Sequence, residues 1–242
     1  MKSFGVFSVT AFAVFCLTST EVLADGGVVG KVNLKETKQR VRKKLNMASD
    51  PVCASKYTEA VYSEALMVND GGTMRNVFVY VSKGAEGKKF DVPEKAAVLD
   101  QNGCVYTPRV LGVRAGQKIN ILNNDGTLHN VHPKPKTNAE FNQAMPKFMK
   151  KKTVSFDKAE VMVPVKCDVH PWMQGFVAVM DHPYYGVTGD GGAFELKGLP
   201  AGNYTITAWH EVFGSQTQEV TVKDGESASA EFTYALADLK KN

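Results

Sequence analysis

Histidine and cysteine are scarce in this chain, with five and four residues among 242. No Cys-x-x-Cys-His run occurs, which excludes covalent haem attachment. No Gly-rich phosphate loop, Ser/His/Asp order or paired-carboxylate motif stands out as specific. The sequence therefore lacks the patterns typical of nucleotide-binding proteins and hydrolases, and we expect neither an enzyme nor a small-molecule substrate.

Long apolar runs are missing as well. Residues 4–17 are mostly apolar but too short to span a bilayer comfortably, and they follow a basic start at Met1-Lys2. Compact residues at Val22-Leu-Ala24 precede Asp25, as at the cleavage site of a secretory signal peptide. We predict a signal peptide over residues 1–24, a periplasmic or extracellular mature protein, and no stable membrane insertion.

A strong excess of charge is also absent, because the formal net charge is +4 at pH 7. The predicted signal peptide carries one Lys and one Glu, so its removal leaves this value unchanged. A mildly basic chain of this kind predicts no nucleic-acid partner. Basic residues cluster in 38–44 and 134–152, and most such runs are solvated faces.

Short runs rich in β-branched and aromatic residues, separated by Gly, Pro, Asn and Asp, predict an all-β fold. The polar stretch 35–50 and the long connection 137–152 have no clear pattern. The predicted strands are 28–34, 76–81, 96–99, 105–113, 117–123, 153–156, 161–165, 175–180, 189–196, 198–210 and 218–222.

The run Cys167-Asp-Val-His170-Pro-Trp-Met173 places a thiolate, an imidazole and a thioether at three-residue intervals. With a second histidine, these groups form the donor set of a mononuclear blue copper site, in which Met is the weak axial ligand. His129, expected on a loop upstream, is the candidate for that second histidine. A structural zinc half-site, or a buried thiol beside an unrelated histidine, is the alternative interpretation.

These residues resemble the metal loops of the cupredoxins, the plastocyanin/amicyanin-like small blue copper proteins, over residues 97–181. The resemblance implies a Greek-key β-sandwich with copper held by His129, Cys167, His170 and Met173. It also implies that Asn130 ties the two ligand segments together and that the exposed edge of His170 is the electron exit. The residue after the cysteine is often Ser or Thr in that family, whereas here it is Asp168.

Three cysteines remain after the signal peptide is removed, namely Cys53, Cys104 and Cys167. In an oxidising compartment two of them can pair, and one is left over. Because the metal loop requires a thiolate at Cys167, we predict a Cys53–Cys104 disulfide.

After residue 182 the sequence changes character. The turns Gly189-Asp-Gly-Gly-Ala-Phe194 and Leu199-Pro-Ala-Gly-Asn-Tyr204 resemble those of the carboxypeptidase-regulatory type of small β-sandwich, which is non-catalytic as a rule. We therefore predict a cupredoxin-like domain with an N-terminal extension over residues 25–182 and a second β module over residues 183–242.

The leading hypothesis is an exported mononuclear copper protein that carries single electrons between redox proteins. The basic cluster 134–152 lies between the two ligand segments and could steer an acidic partner. A copper carrier or sensor, and a structural β protein with a vestigial metal site, are the alternatives. Multicopper oxidases and nitrite reductases need further copper centres, for which five histidines are too few. Whether His132, His182 or His210 contacts a metal is left open. His132 could point toward the site or out to solvent, and a hydrogen-bonded structural role is expected for His210, with a second metal site formed with Glu211 or His182 as the alternative.

Overall fold

The computed structural model describes Met1 and residues 26–36 and 42–239, so the predicted signal peptide, apart from Met1, lies outside the described residues. Within that part of the chain, strands dominate and the single α-helix has four residues, which confirms the all-β prediction. No helix among these residues is long and apolar enough to cross a membrane.

The strands alternate with short turns along the whole described chain. The helical elements are a 3-10 turn at Met47–Ser49, α1 (Pro51–Ala54) and a second 3-10 turn at Leu236–Asp238. The strands are β1 (Gly26–Leu34), β2 (Phe78–Lys83), β3 (Ala97–Gln101), β4 (Tyr106–Thr107), β5 (Val110–Arg114), β6 (Ile119–Asn123), β7 (His129–Pro133), β8 (Gln143–Met145), β9 (Lys151–Val154), β10 (Glu160–Lys166), β11 (Gln174–Met180), β12 (Tyr185–Val187), β13 (Ala193–Leu199), β14 (Gly202–His210), β15 (Gly214–Val222) and β16 (Ser227–Tyr234).

The first sandwich combines a five-stranded sheet with the order β5-β11-β10-β7-β8 and a four-stranded sheet with the order β4-β3-β6-β9. Side chains alternate between the two faces of a strand, so Ile119 and Ile121 of β6 point into the core together. The same apolar cluster includes Cys167 and Met173, which places part of the predicted metal loop at this core.

The second sandwich combines the sheets β13-β1-β16 and β12-β2-β14-β15. Its strand β1 pairs antiparallel with β13 and parallel with β16, although nearly 160 residues separate β1 from β13. Val28, Val32 and Leu34 of β1 are buried in its core. Strands from both sides of residue 182 therefore share these sheets, and sheet membership does not follow the predicted division into 25–182 and 183–242.

The two sandwiches pack directly on each other. Phe78 and Tyr185 stack with ring centroids 5.7 Å apart, and their cluster includes Val110 and Ala178 of the first sandwich. Gly112 makes this approach possible, because a Cβ there would lie 2.6 Å from a ring carbon of Tyr185.

Two local predictions were wrong. His129 begins strand β7 instead of lying on a loop, and its pairing with Met145 of β8 means that the connection 137–152 contains sheet structure. The sequence pattern concealed this, because the polar residues of β7 and β8 interrupt the apolar alternation. Strand β16 was not predicted at all, since Ser227–Tyr234 mixes Ser, Ala and Glu with its aromatic residues.

A buried ion pair joins the two sandwiches at their edge. Arg109 donates two hydrogen bonds to Glu211, at 2.5 and 2.8 Å, and the two side chains are only 10% and 11% exposed. Removing one partner of such a pair leaves the other charge unpaired and poorly solvated.

We predict that Glu211→Ala lowers the free energy of unfolding by about 3 kcal/mol, measured by urea denaturation, because Arg109 then loses its counter-charge. The control is Glu195→Ala, whose exposed pair with Lys197 is worth about 0.5 kcal/mol or less. Equal losses in the two variants would contradict this role for Arg109 and Glu211.

Candidate metal centre

The predicted metal loop is the tip of a hairpin. Strand β10 ends at Lys166 and β11 begins at Gln174, so residues 167–173 connect them. The N–H of Cys167 donates to the carbonyl of Met173 at 3.2 Å, and the N–H of Met173 donates to that of His170 at 2.8 Å. These bonds fold the loop back on itself, so that Cys167 and Met173 are 3% and 1% exposed.

Three of the four predicted ligands come together at this tip. The Nδ1 atoms of His129 and His170 face each other at 2.9 Å, and the Cys167 sulfur lies 3.9 Å from Nδ1 of His170. The donor atoms of all three residues lie within 4.8 Å of one another, and all three side chains are buried. Met173 is buried in the same apolar cluster as Cys167, and its role as the axial ligand stays a prediction.

The outer nitrogens of both imidazoles meet carboxylates. Nε2 of His129 lies 2.9 Å from Asp125, and Nε2 of His170 lies 2.9 Å from Asp50. An ionised carboxylate can only accept, so Nε2 of each ring donates to it, and Nδ1 is the nitrogen left to bind a metal ion or to share a proton with the other ring. Because two facing lone pairs repel, Nδ1 atoms 2.9 Å apart need either a shared proton or a metal ion between them. With a buried sulfur beside them, the residues present fit a thiophilic metal ion.

The pKa values of the sulfur and of one imidazole are shifted in opposite directions. Burial raises the pKa of the Cys167 thiol, but the interaction with His129 and backbone N–H groups outweighs burial and brings the pKa below its ordinary value. Burial lowers the pKa of His129, but Asp125 and the Cys167 thiolate outweigh that effect and raise it. In the metal-free protein a proton on His129 thus stabilises the Cys167 thiolate, and a metal ion bound there would take the place of that proton.

Asn130 links the two ligand segments, as the resemblance implied. Its side-chain oxygen accepts from the N–H groups of Asp168 and Val169, at 2.7 and 3.4 Å. The hydroxyl of Tyr106 donates to the carbonyls of Asn130 and Lys166 from below. Strand β7 and the cysteine loop are therefore held together on both sides of the site.

The carboxylate of Asp168 points away from the three donors. It accepts from Asn142 and Asn130 and lies 2.9 Å from Nδ1 of His132, whose Nε2 lies 2.8 Å from Glu140. Both nitrogens of His132 are thus engaged outside the site.

The remaining two histidines lie in other parts of the fold. His182 bonds the carbonyl of Val81, and Nδ1 of His210 accepts from the N–H of Val212. Neither of them belongs to a potential metal-ligand group among the residues that the structure describes.

The predicted Cys53–Cys104 disulfide is present, and Cys167 is left as a free thiol. It fastens the N-terminal loop, which we define as residues 44–62, to the first sandwich. Lys44 and Tyr62 close the base of this loop as a β-bridge, and Met47 and Cys53 enter the core beside the metal loop.

The predicted exposed edge of His170 is wrong. His170 is 2% exposed, because Asp50 of the N-terminal loop bonds its Nε2 and the Cys53 sulfur lies 3.7 Å from the same nitrogen. The loop contributes this cover through long-range contacts that the local motif does not contain.

Sequence reasoning missed Asp50 and Asp125. The available signal for Asp50 was the Asp50-Pro51 pair three residues before a predicted disulfide cysteine, which is typical of a helix start. For Asp125, it was a position four residues before His129. Two further possible ligand groups contain these aspartates, but each includes a disulfide sulfur, which cannot act as a thiolate.

Comparisons with known proteins match separate parts of the chain. A family model for the carboxypeptidase regulatory-like domain matches residues 177–235. No curated protein sequence matches the chain.

Among solved structures, a methionine-to-alanine mutant of amicyanin in the Cu(I) state is 23% identical, with 42% of this chain and 98% of that chain covered and a TM-score of 0.32. An oxidised proline-to-alanine mutant of amicyanin is 24% identical over the same shares, with a TM-score of 0.33. A copper-containing nitrite reductase from Thermus scotoductus SA-01 is 20% identical, with 41% of this chain and 25% of that chain covered and a TM-score of 0.32. At these scores the likeness supports no inference about function, so the site must be judged on its own geometry.

We predict that the double substitution Cys53→Ser/Cys104→Ser lowers the free energy of unfolding by about 4 kcal/mol, measured by urea denaturation. The disulfide closes a loop with a sequence separation of 51, and a cross-link of that length restricts the unfolded chain by about this amount. Reductant should produce the same loss in the wild type and none in the variant. A variant as stable as the wild type would show that the cross-link does not fasten the N-terminal loop.

Proposed function

We propose that this protein binds one copper ion at His129, Cys167, His170 and Met173 and carries single electrons between redox proteins outside the cytoplasm. One observation carries the proposal: two buried imidazoles present Nδ1 atoms 2.9 Å apart beside a buried cysteine sulfur. Two His and one Cys with a distant Met is the donor set of blue copper sites. Zinc also binds Cys and His ligands. A methionine as a weak further ligand, here Met173 three residues after His170, is typical of copper sites.

Each residue has a distinct part in this proposal. Cys167 provides the thiolate, His129 and His170 provide imidazole nitrogens, and Met173 provides a weak thioether donor from the loop end. A copper ion held there would supply a one-electron couple between its Cu(II) and Cu(I) states. The hydrogen bonds of Asn130 and the buried hairpin keep the donor positions fixed, so that little rearrangement accompanies a change of charge.

A partner cannot reach the edge of His170 directly, so exchange must use its neighbours. The ring of Trp172 lies 4.9 Å from the ring of His170 and lines an adjacent cavity of about 450 Å³. Lys43 and Lys44 line the same cavity and give its rim a positive charge, whereas the charge of Arg109, which also lines it, is balanced by Glu211. We propose this face as the docking site of a redox partner, and the basic rim favours an acidic one.

Exposed apolar side chains also occur in the two segments that carry the proposed histidine ligands. Leu128 and Val169 are 43% and 44% exposed, and each directly precedes a proposed histidine ligand in the chain. Weak redox encounters bury small surfaces, so a few apolar contacts beside a charged rim are sufficient for transient docking.

Export to the periplasm or the cell exterior also belongs to the proposal. The predicted signal peptide over residues 1–24 supports it, and so does the Cys53–Cys104 disulfide, since disulfides persist in oxidising compartments.

The visible absorption spectrum of the mature protein loaded with Cu(II) tests the metal site. We predict an intense thiolate-to-copper charge-transfer band that is bleached reversibly by ascorbate and lost in Cys167→Ser. The matched control is Met173→Leu, which should keep the band because the axial bond is weak. A colourless wild type would overturn the proposal.

Copper retention separates an electron carrier from a copper carrier or sensor. We predict that the wild type keeps its copper through repeated cycles of reduction and oxidation in the presence of a Cu(I) chelator, because the donors are buried beneath a cross-linked loop. The measurement is the copper content after each cycle, with the urea-unfolded protein as the control that releases its copper. Release on the first reduction would favour copper delivery.

A further inference from the structure

The outer nitrogen of each proposed histidine ligand bonds a carboxylate, and further hydrogen bonds hold that carboxylate in place. Asp125 is fully buried and accepts from the N–H groups of Gly103 and Cys104 at 2.9 and 2.8 Å, in addition to its contact with His129. Asp50 accepts from the N–H groups of Val52 and Cys53 at 2.7 and 3.2 Å, in addition to its contact with His170. Neither carboxylate is free to rotate away from its imidazole.

The disulfide connects the two carboxylates. Cys53 donates its backbone N–H to Asp50, and its disulfide partner Cys104 donates its backbone N–H to Asp125. A third link runs from the hydroxyl of Thr127 to Asp50 at 3.1 Å, so the segment before His129 also bonds the N-terminal loop. One covalent cross-link thus fixes both carboxylates relative to each other and to the two rings.

The two carboxylates differ in how their charge is compensated. Lys56 lies 2.7 Å from Asp125 and neutralises much of its charge. In the part of the chain that the structure describes, the ion-pair partner of Asp50 is His170 itself. The charge of Asp50 therefore acts on the imidazole without a lysine to offset it.

We propose that Asp50 and Asp125 are positioning residues of the metal site, which aim Nδ1 of both imidazoles at the ion and favour its more highly charged state. The proposal rests on the proposed function, because it assumes copper between those nitrogens. A carboxylate that accepts from the outer nitrogen of a ligand histidine fixes the tautomer and makes the inner nitrogen a stronger donor. A stronger, more anionic donor set stabilises Cu(II) relative to Cu(I).

The effect on copper should be larger for Asp50 than for Asp125. Removing the charge of Asp125 also leaves Lys56 unpaired beside the site, but a flexible lysine that is 27% exposed can turn to solvent. Removing the charge of Asp50 changes the charge near His170 by a full unit, because no lysine within the described ranges is paired with Asp50 that could turn to solvent in response. The N-terminal loop, through one residue, would thereby set the redox properties of a site in another part of the chain.

The test compares Asp50→Asn, Asp50→Ala and Asp125→Asn with Asp224→Asn, which removes one exposed charge from a turn of the second sandwich. Reduction potentials are measured by voltammetry on the copper-loaded proteins, and Cu(II) affinities by competition with a chelator. We expect the potential to rise in both Asn variants, more in Asp50→Asn, and to stay at the wild-type value in Asp224→Asn. We expect the Cu(II) affinity to fall about 10- to 100-fold in Asp50→Ala.

A second readout needs no copper. In the metal-free wild type, nitrogen NMR of the histidine rings should show a proton on Nε2 of His170 that exchanges slowly with solvent, and Asp50→Ala should lose this slow exchange. A colourless wild type would count against the proposed function. A blue wild type in which Asp50→Asn leaves the potential unchanged, or a slowly exchanging proton that persists in Asp50→Ala, would overturn the role assigned to Asp50.

Discussion

The repulsion between two imidazole lone pairs is the constraint on which this site depends. Asp50 and Asp125 accept from the outer nitrogens of His170 and His129, so the two inner nitrogens face the same space and have to share a proton or bind a metal ion there. Such an arrangement is costly in a buried place unless a cation occupies that space. The Cys167 sulfur beside this space determines which metal ions can bind, since a thiolate prefers soft metals.

The rest of the fold serves to hold that arrangement. The five-stranded sheet of the first sandwich supplies both the hairpin that carries Cys167 and the strand that carries His129, and Asn130 joins the two. The disulfide fastens the N-terminal loop over His170, and this loop keeps the ring buried. The second sandwich adds Glu211, which pairs with Arg109 directly before β5, and Phe78, which packs with Val110 and Ala178 of the five-stranded sheet.

Much of the site was predictable because it is local in sequence. Cys167, His170 and Met173 lie within one seven-residue connection, and their spacing alone indicates a loop that binds a soft metal ion. The disulfide followed from counting the cysteines that remain after the predicted signal peptide and assigning one of them to the metal loop. The parts that were not predictable depend on contacts between distant residues: the cover of His170 by Asp50 joins residues 120 positions apart, and β1 pairs with strands near the other end of the chain. Local periodicity identifies such strands but does not say which partners they take.

X-ray absorption spectroscopy of the copper-loaded protein at the copper edge tests the central claim most directly, since it reports the atoms bound to the ion. We predict one short bond to sulfur and two bonds to imidazole nitrogen in the wild type, with the sulfur contribution lost in Cys167→Ser and one imidazole contribution lost in His129→Ala. A wild-type spectrum with nitrogen and oxygen neighbours but no short bond to sulfur would contradict the claim that these buried residues form a copper–thiolate site.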